Sequence, residues 1–204
     1  MDMMFKTVRI VLLAALLLSS PFAAAEPVTK WTFVSVTGKA GRIAGRDLQS
    51  NGLWTVGVDG SFDLFNLLAI QGDVNAGNTK VNASIDTRDA GLGVVLHLPI
   101  GRALDIYAPL QYRYLRTEVD GSSDDQSGYL IGLGVRGMAT EFVEYQVEVT
   151  HADFGTVQGV SLDDEAVNAN LRWHVSELFS FAIGLEVTSE TDRQAVTGDV
   201  RFSF

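Results

Sequence analysis

Val196-Thr197-Gly198-Asp199-Val200-Arg201-Phe202-Ser203-Phe204 closes the chain, and its reading decides the fold. In an extended backbone Val196, Val200, Phe202 and Phe204 point one way, and Thr197, Asp199, Arg201 and Ser203 point the other. A strict period of two with opposite chemistries describes a strand that separates an apolar medium from a polar one. The same period recurs upstream. Phe179, Phe181, Ile183, Leu185 and Val187 oppose Ser180, Ala182, Gly184, Glu186 and Thr188. Val167, Ala169, Leu171, Trp173 and Val175 oppose Asn168, Asn170, Arg172 and His174. Val143, Tyr145, Val147 and Val149 oppose Glu144, Gln146, Glu148 and Thr150.

Working back to the start, strand-like segments fall at 28–39, 53–62, 67–76, 87–98, 103–118, 127–138, 142–154, 166–175, 179–189 and 194–204. The connections alternate in character. Residues 63–66, 99–102, 139–141 and 176–178 make tight turns, whereas 40–52, 77–86, 119–126 and 155–165 read as longer polar loops. The fifth connection on that side, 190–193, is short. Short and long connections in alternation predict an antiparallel up-and-down β-barrel of ten strands. Eight strands is the alternative, because Trp31 to Val36 alternates ambiguously.

The other end of the chain has a different character. Lys6 and Arg9 precede the apolar run Ile10 to Leu18, then Pro21 and the small residues Ala23-Ala24-Ala25. This is the pattern of a cleaved signal peptide over residues 1–25, with the barrel domain over 26–204. With no cysteine, the chain is expected to be neither a lipoprotein nor disulfide-stapled. Composition is 47% hydrophobic, yet beyond residue 25 no apolar run is long enough for a spanning helix. The stretch from Leu92 to Ile100 is interrupted by His97 and Pro99. A spanning strand needs only about 9–11 residues, half of them facing lipid, so alternation accounts for the apolar content. Formal net charge is −10, and removal of the leader takes away Lys6, Arg9 and Asp2, one unit more basic than acidic. Such acidity argues against a nucleic-acid partner.

Period alone does not say which face points inward, since a soluble barrel is apolar inside. Charges of both signs interleaved with glycine on the polar faces suit a narrow interior. Aromatic residues cluster near strand ends, with Tyr112, Tyr114 and Tyr129 toward the loops and Tyr145, Trp173, Phe181 and Phe202 toward the turns. Interfacial girdles of a membrane barrel have this placement. With the terminal Phe204, the whole mature chain resembles small outer-membrane β-barrels of Gram-negative bacteria, of the OmpA-type transmembrane domain and the opacity or porin-like groups. The resemblance implies integral insertion in the outer membrane by its assembly machinery, with periplasmic chaperones in transit. Phe202 and Phe204 would form the assembly signal. It implies lipid and lipopolysaccharide as surroundings and no particular activity, since such barrels host many functions.

The candidate site is the inner wall. Parity puts Asp59, Asp73, Asp105, Glu144, Glu148, Glu186 and Asp199 there with Arg113, Arg136, Arg172 and Arg201. One expectation is an ion-pair network that fills the lumen, because buried charges need partners. A narrow path favouring small cations is the alternative, and a ligand site a third. Catalysis is not expected. His151 and Asp153 share a face like a dyad, but with Val147 and Val149 on the lipid side unless a bulge reverses them. Gly-x-Ser-x-Gly and metal-spaced histidines do not occur in the sequence. The acidic runs 120–125 and 163–165 read as solvated turn residues rather than a calcium loop. Gly91, Gly93, Gly132 and Gly134 read as relief of crowding. The reading is therefore a non-enzymatic, monomeric barrel without cofactor or metal, with a structural or surface-interaction role; a narrow, weakly cation-selective porin-like channel is the alternative, and an adhesin or outer-membrane enzyme the third.

Overall fold

The computed structural model describes residues 30–45, 48–49, 52–80, 84–100, 104–119, 121–157, 160–189 and 193–204. The expected leader lies outside the described residues. Ten strands form the wall: β1 Phe33–Gly45, β2 Gly52–Asp63, β3 Leu68–Lys80, β4 Ser84–Ile100, β5 Leu104–Val119, β6 Ser122–Met138, β7 Val143–Val157, β8 Val160–His174, β9 Phe179–Thr188 and β10 Arg193–Ser203. A two-residue strand, Leu48–Gln49, folds back on the end of β1. Each strand pairs antiparallel with the next, and β10 pairs with β1 from Phe33↔Ser203 to Ile43↔Arg193. The sheet therefore closes on itself as a ten-stranded barrel, which removes the edges that would otherwise aggregate. Among the described residues there is no helix.

Register sorts the side chains. Along β9 and β10 the odd–even alternation is complete, with Ser180, Ala182, Glu186, Thr188, Ala195, Thr197, Arg201 and Ser203 buried inside. Outside, Phe181, Ile183, Leu185, Val187, Val196, Val200 and Phe202 are exposed. The same holds on β4, where Leu92, Leu96 and Leu98 face out and Val95 and His97 face in. A continuous apolar exterior around a polar interior is the inverse of a soluble barrel, and its medium is lipid.

Three of the four turns at one end are described, and each is tied by side chains. Asp63 Oδ1 accepts from the Asn66 amide at 3.0 Å, with Asn66 left-handed at φ 59°. Thr140 Oγ1 accepts from the amides of Phe142 and Val143, and Ser176 Oγ from those of Leu178 and Phe179. Short Asp, Thr and Ser side chains stand in for missing backbone partners at these bends.

The other end differs from the sequence expectation. The segments read as long loops are mostly strand: β3 continues to Lys80, β4 begins at Ser84, β6 begins at Ser122, and β7 and β8 run to Val157 and from Val160. Beyond the lipid both faces meet water, so the apolar–polar contrast that marks a strand disappears while backbone pairing continues. β1 is displaced as well, starting at Phe33 rather than residue 28 and ending at Gly45 rather than 39. The wall is uneven in height. β4 and β6 have 17 residues each, whereas β9 has 10 and β10 has 11, close to the minimum for a span.

Candidate functional site

Asp59, Asp73, Asp105, Arg113, Arg136, Glu144, Glu148, Arg172, Glu186, Asp199 and Arg201 all face the lumen. Register pairs them with one another or with other inward residues, as in Asp59↔Asp73, Asp105↔Arg136, Glu144↔Arg172 and Ala182↔Asp199. They form three groups at different heights.

At the turn end lies a closed layer. Trp31, just ahead of β1, turns into the lumen and is 7% exposed. Its indole Nε1 donates to Asp105 Oδ2 at 2.8 Å. His97 stacks on one side of the ring system at 4.7 Å, Tyr107 meets it edge-on at 5.3 Å, and the Arg136 guanidinium lies 3.8 Å from the ring centroid. Arg136 also stands 3.7 Å from Asp105, while His97 lies between Asp105 at 3.6 Å and Asp63 at 3.5 Å. Ala69 and Val95 complete the apolar part of the layer. Across the lumen, Arg172 binds Ser180 at 3.1 Å and pairs with Asp199, His174 approaches Glu144 at 3.4 Å, and Arg201 lies over Phe33 at 3.8 Å. Glu144, Arg136, Asp105, Arg172, His97 and Ser180 are all buried. At this height the barrel is filled by side chains. Arg136 Nε and Nη2 make no hydrogen bond among the described residues, so the aromatic face takes much of that charge.

In the middle, Gln146 Nε2 donates to the Tyr107 hydroxyl at 2.6 Å, and Glu148 faces the same hydroxyl. Tyr107 can lie across the lumen because Gly134 opposite has no side chain; a Cβ there would strike the phenol ring. Glu186 takes Lys39 at 2.6 Å and Arg193 at 2.7 Å. Thr37 donates to Asp59 at 3.0 Å and reaches Asp199 at 3.4 Å.

Toward the loops, Arg113 gathers a compact node. Its guanidinium reaches both carboxylate oxygens of Asp73 at 3.1 and 2.8 Å, Asp89 at 2.7 Å and Gln111 at 2.9 Å. Asn75 ties Asp73 to Asp89 through bonds of 2.8 and 2.7 Å. Gly91 leaves the space for this node, since a Cβ there would come within 2.7 Å of Asp73 and 2.9 Å of Arg113.

His151 and Asp153 face outward. β7 does carry a bulge, but its register shift lies between Asp153 and Thr156, with Gly155 at φ 79°. The irregularity therefore comes too late to turn the pair inward. Tyr129 O–H instead donates to Asp153 at 3.3 Å on the outer surface. Among the aromatic residues of the outer face, Tyr112, Tyr114, Tyr129, Phe181 and Phe202 are exposed, and Trp173 stacks on Phe181 at 5.5 Å. Tyr145 departs from the girdle expectation: it stands opposite Gly137 and is only 5% exposed.

A closed ten-stranded wall, an apolar exterior and a charged interior are joined by a match in sequence. Residues 10–174 fit the family model described as outer membrane protein beta-barrel domain. The chain belongs to that family. As an outer-membrane barrel it resides in the bacterial outer membrane, and its exposed apolar face is the lipid face. No curated protein sequence matches it. Among solved structures, the β domain of the Bordetella autotransporter BrkA is similar with a TM-score of 0.51 at 8% identity, covering 85% of this chain and 99% of that one. Neisserial surface protein A is similar at 0.46 and 13% identity, with 84% and 97% covered. OprG from Pseudomonas aeruginosa gives 0.45 and 13%, with 86% and 97% covered. At these identities the likeness concerns fold alone.

Sequence reasoning did not single out several residues of this outer-membrane barrel's interior: Trp31, Lys39, Asp63, Asp89, His97 and Arg193. Most share the inward parity of the charged residues already singled out. Trp31 carried one usable signal, its odd number, which aligns it with the inward residues Phe33 and Ser35 rather than with Val34 and Val36.

Proposed function

We propose that this is a non-enzymatic outer-membrane barrel with a closed lumen, acting as a structural or surface-interaction protein rather than an open pore. The observation that carries the reading is the turn-end layer of Trp31, Asp105, Arg136, Glu144, Arg172 and Arg201, all buried or ring-stacked across the bore. Ions and solutes crossing the barrel would have to displace paired charges from a site with little solvent, at a cost of several kcal/mol. In this proposal the turns and both chain ends face the periplasm, residues 1–25 are removed on export, and the barrel works as a monomer without cofactor.

Potassium efflux from vesicles holding the refolded 26–204 chain tests the closed lumen. Efflux no faster than from empty vesicles supports it, and rapid efflux through a fully folded barrel contradicts it. A narrow cation path is the second reading, favoured by the opposed acids Asp59 and Asp73 and by Glu148 above the plug. It requires selective flux that falls when those acids are neutralised.

The assembly proposal concerns Phe202 and Phe204, both more than half exposed on the outer face of the last strand. Their exposure leaves them available to insertion machinery. Phe204→Ala is expected to lower the yield of heat-modifiable barrel in membranes several-fold while leaving refolding in detergent nearly unchanged. Equal yields in cells would remove the signal.

A further inference from the structure

The inner wall carries one polar cluster that neither the closed layer nor the Arg113 node takes up. β1 presents Ser35 and Thr37 inward, between Asp59 and Ser61 of β2 on one side and Asp199 of β10 on the other. Register sets Ser35 opposite Asp59 and Thr37 opposite Asp199, and Ser61 lies one inward position from Asp59 toward the turns. Side chains at paired positions stand about 4.5–5.5 Å apart at Cβ. Thr37 Oγ1 lies 3.0 Å from Asp59 and 3.4 Å from Asp199, but its single proton serves only one of them at a time.

The neighbouring acids have basic partners: Arg113 holds Asp73, Arg172 holds Asp199, and Lys39 holds Glu186. Asp59 has no such partner among the described residues, although Asp73 stands opposite it in register. Glu148 shares that lack, but it meets the Tyr107 hydroxyl. Two serines add an independent observation. Ser35 is 1% exposed and Ser61 is 7% exposed, and neither hydroxyl oxygen has a hydrogen-bond partner among the described residues. A buried hydroxyl left in that state is destabilising unless a ligand meets it. Arg201, the other register partner of Ser35, sets its guanidinium 3.8 Å from the Phe33 ring, one inward position nearer the turns. Thr37 and Asp59 are half-buried, so the serines make the floor of the cluster and its mouth faces the loop side.

A donor set made of carboxylate and hydroxyl oxygens suits a hard cation. One uncompensated carboxylate asks for one positive charge, and a divalent ion would leave excess charge close to Arg172 and Arg201. Among the described residues, no three His, Asp or Glu side chains are grouped as a divalent or transition-metal site requires. We infer that Asp59, Thr37, Ser35 and Ser61 form a binding site for a small monovalent cation of the sodium type, held inside the barrel and reached from the loops. This rests on the closed-lumen reading, since the layer below retains the ion instead of passing it on. The bound ion supplies the charge that Asp59 lacks, gives both serine oxygens a partner and relieves the repulsion between Asp59 and Asp73 across β2 and β3.

The test unfolds the refolded 26–204 barrel with urea in neutral-lipid vesicles, in sodium chloride and in N-methylglucamine chloride at equal ionic strength. Sodium is expected to raise the midpoint along a saturable curve, as a ligand of the folded state does. Asp59→Asn is expected to raise the half-saturating sodium concentration at least about tenfold, and the double variant Ser35→Ala/Ser61→Ala about threefold or more. In N-methylglucamine, Asp59→Asn is expected to be no less stable than the parent, because an uncompensated charge is gone; a purely structural Asp59 would give the reverse. Asp125→Asn on the rim is expected to keep the parent's sodium curve. Saturable broadening of the sodium NMR line reads binding to the parent without unfolding it. Equal midpoints in the two salts, a sodium effect that Asp59→Asn leaves intact, or a larger magnesium effect lost in Asp59→Asn overturns the site. Heat-modifiable migration of every variant separates a lost site from a lost fold. Rapid potassium efflux with an unchanged sodium response would overturn the closed lumen while leaving the ion site standing.

Discussion

Two arginines of the lumen, Arg136 near the turns and Arg113 toward the loops, solve the problem of a buried cation in opposite ways. Arg113 is held by geometry: both oxygens of Asp73, one of Asp89 and the amide oxygen of Gln111 lie within 3.1 Å. Arg136 is held by packing: among the described residues its nearest carboxylate is 3.7 Å away, its guanidinium covers Trp31, and two of its nitrogens make no hydrogen bond. A satisfied ion cluster can survive locally. A charge kept in place by an aromatic ring fails when any member of the layer is removed, because the alternative is an uncompensated buried cation.

The largest effect separating the two regions is expected from Arg136→Glu. It places a third carboxylate beside Asp105 and Glu144 and is expected to cost about 3–5 kcal/mol, read as a lower urea midpoint of the barrel in vesicles. A midpoint equal to the parent's would mean the layer is not packed as described. Trp31→Ala follows at about 3 kcal/mol, from a large buried ring lost and an arginine left without its partner. Its effect and that of Arg136→Ala are expected to be strongly non-additive in a double-mutant cycle, as suits residues in contact. Arg113→Met is expected to cost about 1–3 kcal/mol, less than the plug variants because Asp89 is 32% exposed and can take up water. An Arg113 loss larger than that of Arg136 would invert the comparison. Asp125→Asn, breaking the Arg116 pair on the exposed rim, is expected to change stability by less than about 1 kcal/mol, since both side chains are more than 40% exposed.

The same contrast explains what the sequence made legible. Where lipid meets one face and the lumen the other, as along Phe179 to Thr188, the solvent on each side enforces alternation, and the strand reads directly. Where both faces meet water, as from Ser122 to Gln126, pairing persists without a pattern, and a strand reads as a loop. The inward parity of charges such as Glu144 and Arg172 follows from the same alternation. Which charges meet does not, because contact across the bore depends on stagger and barrel diameter. Trp31 was not assigned to the lumen for a related reason: it lies in the first segment, where alternation is ambiguous, and one odd-numbered aromatic residue does not establish a period.

Single-channel recording of the 26–204 chain refolded into planar bilayers tests the closed lumen most directly, with heat-modifiable migration as the control for folded barrel. The parent barrel is expected to stay electrically silent, while Trp31→Ala gives discrete, cation-favouring steps through the unplugged bore. Sustained steps from the folded parent, unchanged by Trp31→Ala, would contradict a lumen closed at the turn end.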